Sequence, residues 1–137
     1  MAQGPNAVKI IAACKAEWPA YSGDCSGFVH AVAGDLGVSL TGQANAIINA
    51  LDTASRWEKL GTRPELAVLR AAQGRFVVAG LKATPNGHVV VVVDAPAQAY
   101  PIGYWGKLND VGKENTGLNW AWRQADLVNV NYYSCVL

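Results

Sequence analysis

The sequence predicts an α+β fold in which helices occupy the first half of the chain and strands occupy the second half. Apolar residues recur at helical spacing up to Gly74, whereas β-branched and aromatic residues dominate from Arg75 onwards. Because the two patterns are segregated rather than alternating, a parallel sheet built from βαβ units is not expected. The length of 137 residues is that of one domain, which we place at 1–137.

Helical periodicity predicts four helices, over residues 8–16, 25–36, 43–57 and 64–74. The first is expected to end at Trp18, because the residue before Pro19 avoids helical backbone angles. The second follows a polar turn, with Asp24 in the N-cap position and Gly37 just past its end. The fourth opens at Pro64, a residue favoured in the first turn of a helix.

Four strands are predicted in the second half, over residues 75–81, 88–94, 102–106 and 127–136. The consecutive valines of the second strand indicate burial on both of its faces. A turn is expected at 84–87, where Pro, Asn and Gly follow one another. The polar segment 109–116 contains a glycine and is expected to be a loop.

Composition excludes several classes of protein. The chain has 11 Lys and Arg against 10 Asp and Glu, so it lacks the positive charge with which nucleic-acid-binding proteins displace counterions. Hydrophobic residues make up 51% of the chain, which disfavours disorder. No apolar run approaches the ~18 residues of a membrane span, and no basic segment precedes an apolar stretch at the N-terminus. A Sec signal peptide is therefore not expected.

The motif D-C-S-G-F-V contains the candidate nucleophile, Cys25, at the start of the second predicted helix. Amides at a helix N-terminus stabilise a thiolate and lower its pKa, and they can also bind an oxyanion. Gly27 would let a substrate approach the backbone of the first turn. The alternative is that Cys25 is a core cysteine on the apolar face that it shares with Phe28 and Val32.

A cysteine nucleophile needs a base within hydrogen-bonding reach, and His88 is the candidate. It occupies the first position of the valine strand, on a rigid element near the surface; the alternative is a solvated histidine at a strand edge. The other histidine, His30, lies on the Cys25 helix but roughly on the opposite side, so we interpret it as a surface or packing residue. If Cys25 is the nucleophile, His88 is the base almost by elimination.

An orienting group for the imidazole is only weakly indicated, since a backbone carbonyl would serve and spacing selects none of the candidates Asp94, Asn109 and Asp110. Aromatic rings suit a groove, with Gly103 and Gly106 opening space beside them, whereas Trp57, Trp120 and Trp122 are interpreted as core or rim packing. The residues expected to bind substrate are Tyr21, Ser22, Asp24, Ser26, Gly27, Tyr104 and Trp105.

The spacing of Cys14, Cys25 and Cys135 matches no zinc-binding pattern, so no metal is expected. An odd number of cysteines leaves at least one thiol unpaired. One arrangement joins Cys14 to Cys135 and leaves Cys25 free, but the sequence does not establish that pairing.

At this point the sequence resembles a known family. Cys25 in D-C-S-G-F-V and His88 in G-H-V-V-V-V, 63 residues later, resemble the NlpC-type papain-like cysteine peptidases of cell-wall metabolism. Over nearly the whole chain, the sequence is similar to the small type VI secretion amidase effectors of the first family. Matching stretches include A-C-K-A-E-W, G-Q-A-N-A-I-I-N-A-L, A-A-Q-G-R-F-V-V-A-G-L-K and N-Y-Y-S-C. The family pattern has a further cysteine where this chain has Lys9, and others near Tyr104.

The resemblance implies a papain-like NlpC-type fold, with N-terminal helices packed on a C-terminal antiparallel sheet. It implies Cys25 as nucleophile, His88 as base and no cofactor. The implied reaction is hydrolysis of the γ-D-glutamyl–meso-diaminopimelate bond of peptidoglycan stem peptides, in the periplasm of a competing Gram-negative cell. The implied partners are the stem peptide, a periplasmic immunity protein that blocks the groove and the tube protein of the type VI system. Such cargo leaves the cell without a Sec signal peptide.

Other functions remain compatible with the same residues. A CHAP-type amidase would cut the N-acetylmuramoyl–L-alanine bond with the same dyad, and acyl transfer would use the same thiol. A non-catalytic module would instead bind the wall through its aromatic residues. For the free carboxylate of diaminopimelate, the candidate cations are Lys82, Lys107 and Arg123, although each also suits a solvated surface.

Overall fold

A six-stranded antiparallel sheet with helices on both faces organises the molecule, which confirms the α+β prediction. The computed structural model describes residues 4–96 and 98–137. The helices are α1 (Pro5–Tyr21), α2 (Cys25–Asp35), α3 (Ala44–Thr53), α4 (Pro64–Ala72) and α5 (Gln124–Leu127), with a 3-10 turn at Leu118–Trp120. The strands are β1 (Trp57–Gly61), β2 (Phe76–Leu81), β3 (His88–Val93), β4 (Ile102–Trp105), β5 (Lys113–Gly117) and β6 (Asn131–Cys135). Their spatial order is β1-β6-β2-β3-β4-β5.

Alternation along the central strand β3 divides the interior into two cores. Val89, Val91 and Val93 pack against α1, α2 and α3 on one face of the sheet. Val90 and Val92 point to the other face, which α4, α5 and the 3-10 turn cover. The prediction of a valine strand buried on both faces is thereby confirmed. Among the described residues, no helix has the length and apolarity needed to cross a lipid bilayer.

Two predicted helix ends were wrong. Helix α1 continues through Pro19 to Tyr21, so its last turn accommodates the proline. Helix α3 stops at Thr53, since Ala54 has extended backbone angles, and Trp57 then begins β1. This strand pairs with β6 at the other end of the chain, and no local sequence pattern predicts that pairing.

Two predictions in the second half were also wrong. The segment expected to be a loop contains the start of β5, an edge strand whose residues are mostly exposed and polar, so it lacks the apolar alternation of a half-buried strand. The last strand begins at Asn131 rather than at Leu127, which ends the short helix α5. At β5 the pattern reflects the exposure of an edge strand, whereas at Leu127 an apolar residue of a short helix precedes an interior strand.

The central position of β3 predicts a clear contrast between two valines. Val91 is fully buried, whereas Val136 is 61% exposed beyond the end of β6. Val91→Ala should reduce the free energy of unfolding by about 2 kcal/mol, because it removes buried methyl groups and leaves a cavity. Val136→Ala is the matched control and should change it by less than ~0.5 kcal/mol. Urea unfolding of both variants measures the difference, and equal losses would contradict the assignment of this core.

Candidate active site

The start of α2 is fixed by its capping residue. Asp24 has extended backbone angles, and its Oδ1 accepts hydrogen bonds from the Gly27 amide at 3.0 Å and the Ser26 hydroxyl at 3.2 Å. The predicted N-cap is therefore confirmed. A Cβ on Gly27 would collide with the Asp24 carboxylate, so this glycine makes room for the cap.

Cys25 is the first residue of α2, and its side chain is only 7% exposed. Burial raises the pKa of its thiol, and the negative charge of Asp24 raises it further. The backbone amides of Val89, Ser26 and Cys25 itself lower this pKa, but the desolvation outweighs them. The expected low pKa was thus wrong in direction, because the helix N-terminus acts here on a thiol that has little contact with water.

A crevice of about 240 Å³ opens at Cys25 and defines the candidate site. It lies where the N-termini of α2 and α3 meet the β2–β3 turn and the segment after β4. The residues that line this Cys25 crevice are Asp24, Cys25, Ser26, Gln43, Ala44, Asn86, Gly87 and Leu108. Sequence reasoning missed five of them. Asn86 and Gly87 were interpreted only as a turn, and the others, Gln43, Ala44 and Leu108, carry no chemical signature.

Several residues expected to bind substrate lie elsewhere. Tyr104 is 2% exposed in the core beneath α1, and Trp105 is 1% exposed in the core on the opposite face of the sheet. Their rings therefore pack in the interior rather than line a groove, since neighbouring residues of a strand face opposite ways. Tyr21 and Ser22 form the turn before the cap and do not belong to the described lining of the Cys25 crevice.

The segment 106–112, here called the β4–β5 loop, clamps the turn that precedes Cys25. The Ser22 carbonyl accepts hydrogen bonds from the amides of Lys107 at 3.0 Å and Gly112 at 2.7 Å. A Cβ on Gly106 would collide with the carbonyl oxygens of Tyr21 and Asp24, so this glycine permits close packing of backbone on backbone rather than opening space. This clamp holds the β4–β5 loop, and with it Leu108, against the Cys25 crevice.

His88 begins β3, next to the residue whose amide faces the Cys25 sulfur. Its ring lies edge-on to Trp122, with ring centroids 5.1 Å apart, on the face of the sheet opposite α2. Burial, with a smaller effect of the positive charge of Lys107, lowers the pKa of His88 to about 4. The imidazole is therefore neutral at pH 7, and in the described part of the chain no hydrogen bond joins it to Cys25.

Among the candidate orienting groups, Asp110 has partners other than His88. The Asp110 carboxylate accepts from the Val111 amide at 2.8 Å and lies 3.5 Å from Lys107 Nζ, and these contacts lower its pKa. Asp94 follows the far end of β3, and Asn109 lies in the β4–β5 loop at a positive φ of 60°. Nothing in these contacts selects a third member of the site.

The three candidate cations have different surroundings. Lys82 donates to Asn49 Oδ1 at 2.9 Å, and Arg123 lies 3.9 Å from Asp126 on an exposed surface. Lys107 is the cation whose charge affects His88.

The three thiols are all free and buried, so the arrangement with a Cys14–Cys135 disulfide is not the one that this structure contains. Within residues 4–96 and 98–137, no cluster of His, Cys, Asp and Glu could hold a metal ion.

The low pKa of His88 predicts a pH-dependent loss of stability. Since the unfolded chain has a histidine pKa near 6.5, it binds a proton between about pH 6.5 and pH 4 that the folded protein does not bind. Stability should therefore fall as the pH is lowered through this window, by roughly 2 kcal/mol at pH 5. Urea unfolding at pH 7 and pH 5 measures this loss. In His88→Gln, the decrease in the free energy of unfolding between the two pH values should be smaller than in wild type by roughly 2 kcal/mol. His30→Gln is the matched control, and the same pH dependence in His88→Gln would refute the assignment.

The clamp around the turn predicts that Gly106 does not tolerate a side chain. Gly106→Ala should lower the free energy of unfolding by about 2 kcal/mol or more, because two backbone carbonyls must move to admit the methyl group. Gly34→Ala in α2 is the control; its Cβ would meet nothing within 4 Å, and a gain of up to ~1 kcal/mol is expected. Denaturant unfolding measures both, and a stability of Gly106→Ala within ~0.5 kcal/mol of wild type would disprove the clamp.

Comparison with known proteins places this chain in a family. No model of a known protein family matches the chain. The chain is similar to the protein named peptidoglycan amidase Tse1, from Pseudomonas aeruginosa strain PAO1, with 38% identity over 137 residues. The similarity covers 90% of this chain and 87% of the relative. Because so high an identity extends over nearly the whole of both proteins, the chain belongs to the family of the peptidoglycan amidase Tse1.

Proposed function

We propose that this protein is an antibacterial peptidoglycan amidase that hydrolyses the γ-D-glutamyl–meso-diaminopimelate bond by Cys-His catalysis. The observation that carries the proposal is a cysteine at a helix N-terminus, opening onto a crevice, in a member of this family. Peptidoglycan is the substrate given by the name of the relative, and the sequence resemblance implies the bond.

The reaction starts from two uncharged groups. Because the pKa of Cys25 is raised and that of His88 is lowered to about 4, a thiol and a neutral imidazole coexist at neutral pH. His88 then acts as a general base, accepting the thiol proton while the sulfur attacks the γ-glutamyl carbonyl carbon. A neutral pair of this kind differs from a preformed thiolate–imidazolium pair, since charge develops only as the sulfur–carbon bond forms.

The N-terminus of α2 supplies donors for the oxyanion. The Gly27 and Phe28 amides are occupied by the side chain and the carbonyl of Asp24, whereas the Cys25 and Ser26 amides face the sulfur. These two amides stabilise the tetrahedral intermediate. The imidazolium then protonates the leaving amine of diaminopimelate, which breaks the carbon–nitrogen bond and leaves a thioester. Water attacks that thioester as His88 takes its proton, and the thiol is regenerated.

His88 has to change its side-chain rotamer for this chemistry. Its ring must leave the edge contact with Trp122 and turn over the end of β3 towards the sulfur. The main chain need not move far, because the amide of the adjacent Val89 already acts on the Cys25 thiol.

Delivery and control follow from the same proposal. The protein leaves the producing cell as cargo of the type VI tube and acts in the periplasm of the recipient. A periplasmic immunity protein in the producer blocks the Cys25 crevice.

Digestion of purified sacculi tests the proposed function. Cys25→Ala should reduce the release of stem-peptide fragments by at least ~10³-fold, because no other group in the crevice forms a thioester. Cys135→Ala is the matched control, since it removes a buried thiol remote from the crevice, and it should remain active if it folds. Equal release by wild type and Cys25→Ala would refute catalysis by this cysteine.

The masses of the released fragments identify the bond that is cut. An amino group freed on diaminopimelate supports the proposal, whereas stems freed at L-alanine indicate a CHAP-type amidase, and cross-linked stems indicate acyl transfer.

A further inference from the structure

A second concave site lies at the far end of β4 from Cys25. Its volume is about 440 Å³, and we call it the Trp120 pocket. It is lined by Gln98, Ala99, Tyr100, Ile102, Asn115, Thr116, Gly117, Asn119 and Trp120. None of these described lining residues carries a formal charge, and they include three carboxamides and two hydroxyl groups. The mechanism proposed for Cys25 uses none of them.

Trp120 is the unusual member of this set, because 69% of its surface is exposed. Of the two positions expected from the sequence, core or rim, the core is therefore excluded for Trp120. Tryptophan is a costly residue to expose, since its large apolar surface is ordinarily mostly buried. An exposed indole beside a pocket is typical of a surface that binds something.

The indole is held on a firmly anchored turn. Leu118, two residues earlier, is fully buried, and its amide donates to the Pro101 carbonyl at 3.0 Å. Trp122, two residues later, is almost fully buried in the same core. Trp120 is thus presented outward between two buried anchors, so little conformational entropy is lost when a ligand packs on it.

The carboxamides of the pocket are available for a ligand. In the part of the chain that the structure describes, the side chains of Gln98, Asn115 and Asn119 have no hydrogen-bond partner. Each carboxamide can both donate and accept, which matches the hydroxyl and acetamido groups of a sugar. The absence of charge on the lining disfavours phosphates, and it also disfavours the carboxylates and amine of a stem peptide.

We propose that the Trp120 pocket binds the N-acetylhexosamine glycan of peptidoglycan, with the apolar face of a pyranose ring stacked on the indole. This inference rests on the proposed function for its biological meaning. At a strand rise of ~3.3 Å per residue, the two ends of β4 lie roughly 10 Å apart, with the pocket at the Ile102 end and the turn before Cys25 at the Trp105 end. A glycan strand held at one end of β4 would keep its attached stem peptides near Cys25.

Binding of a soluble oligosaccharide tests the proposal without requiring catalysis. The probe is an oligomer of N-acetylglucosamine, titrated by NMR into the full chain carrying Cys25→Ala. We expect saturable binding that is weakened at least 10-fold by adding Trp120→Ala and weakened less by Trp120→Phe, which keeps an aromatic face. Val136→Ala, another exposed apolar residue, is the control and should leave the affinity unchanged. No saturable binding, or equal binding with Trp120→Ala, would overturn the proposal.

A second measurement compares substrates with and without glycan. Trp120→Ala should lower the rate on intact sacculi at least several-fold and leave the rate on a glycan-free stem peptide unchanged. An equal loss on both substrates would show that the substitution damages the fold and would count against a glycan site. If the wild type proves inactive on both, the proposed function fails, and the oligosaccharide titration still decides the binding site.

Discussion

The candidate site depends on one constraint, the close packing of the N-terminus of α2 against the first residues of β3. The Asp24 cap starts the helix at Cys25, and the backbone of Val89 meets the sulfur there. The β4–β5 loop clamps the preceding turn through the Ser22 carbonyl. The Cys25 thiol is thereby held by three separate pieces of backbone, and glycines at two of the contacts allow the chain to approach so closely.

This packing also sets the electrostatics. Bringing backbone up to the sulfur on several sides removes water, and the desolvation penalty on a thiolate exceeds what the neighbouring amides return. His88 experiences the same effect with the opposite sign, because burial disfavours its charged form. The Cys25 thiol and the His88 imidazole are therefore both uncharged at rest. In the proposed mechanism, the oriented amides act only on the charge that develops during the reaction.

The segment 118–122 lies between His88 and the Trp120 pocket. Its buried end, Trp122, contacts His88, and its exposed residue, Trp120, borders the second pocket. Leu118 anchors both, since it is fully buried beneath β4 and bonded to Pro101. In the proposed function, one short turn thus supports the resting position of the base and presents an aromatic surface at the far end of the same strand.

The sequence by itself determined the segregation of helices and strands, the valine strand with two buried faces, and the N-cap that places Cys25 at a helix start, because these are local patterns. Only the tertiary structure decided which faces the side chains take and how much water reaches them. Tyr104 and Trp105 are buried in the two cores, whereas Trp120 is exposed. Strand β1 pairs with β6, which lies at the other end of the chain. Burial raises the pKa of Cys25, although the helix N-terminus was expected to lower it. The physical reason is that desolvation and strand pairing arise from residues distant in the chain, which no local spacing records.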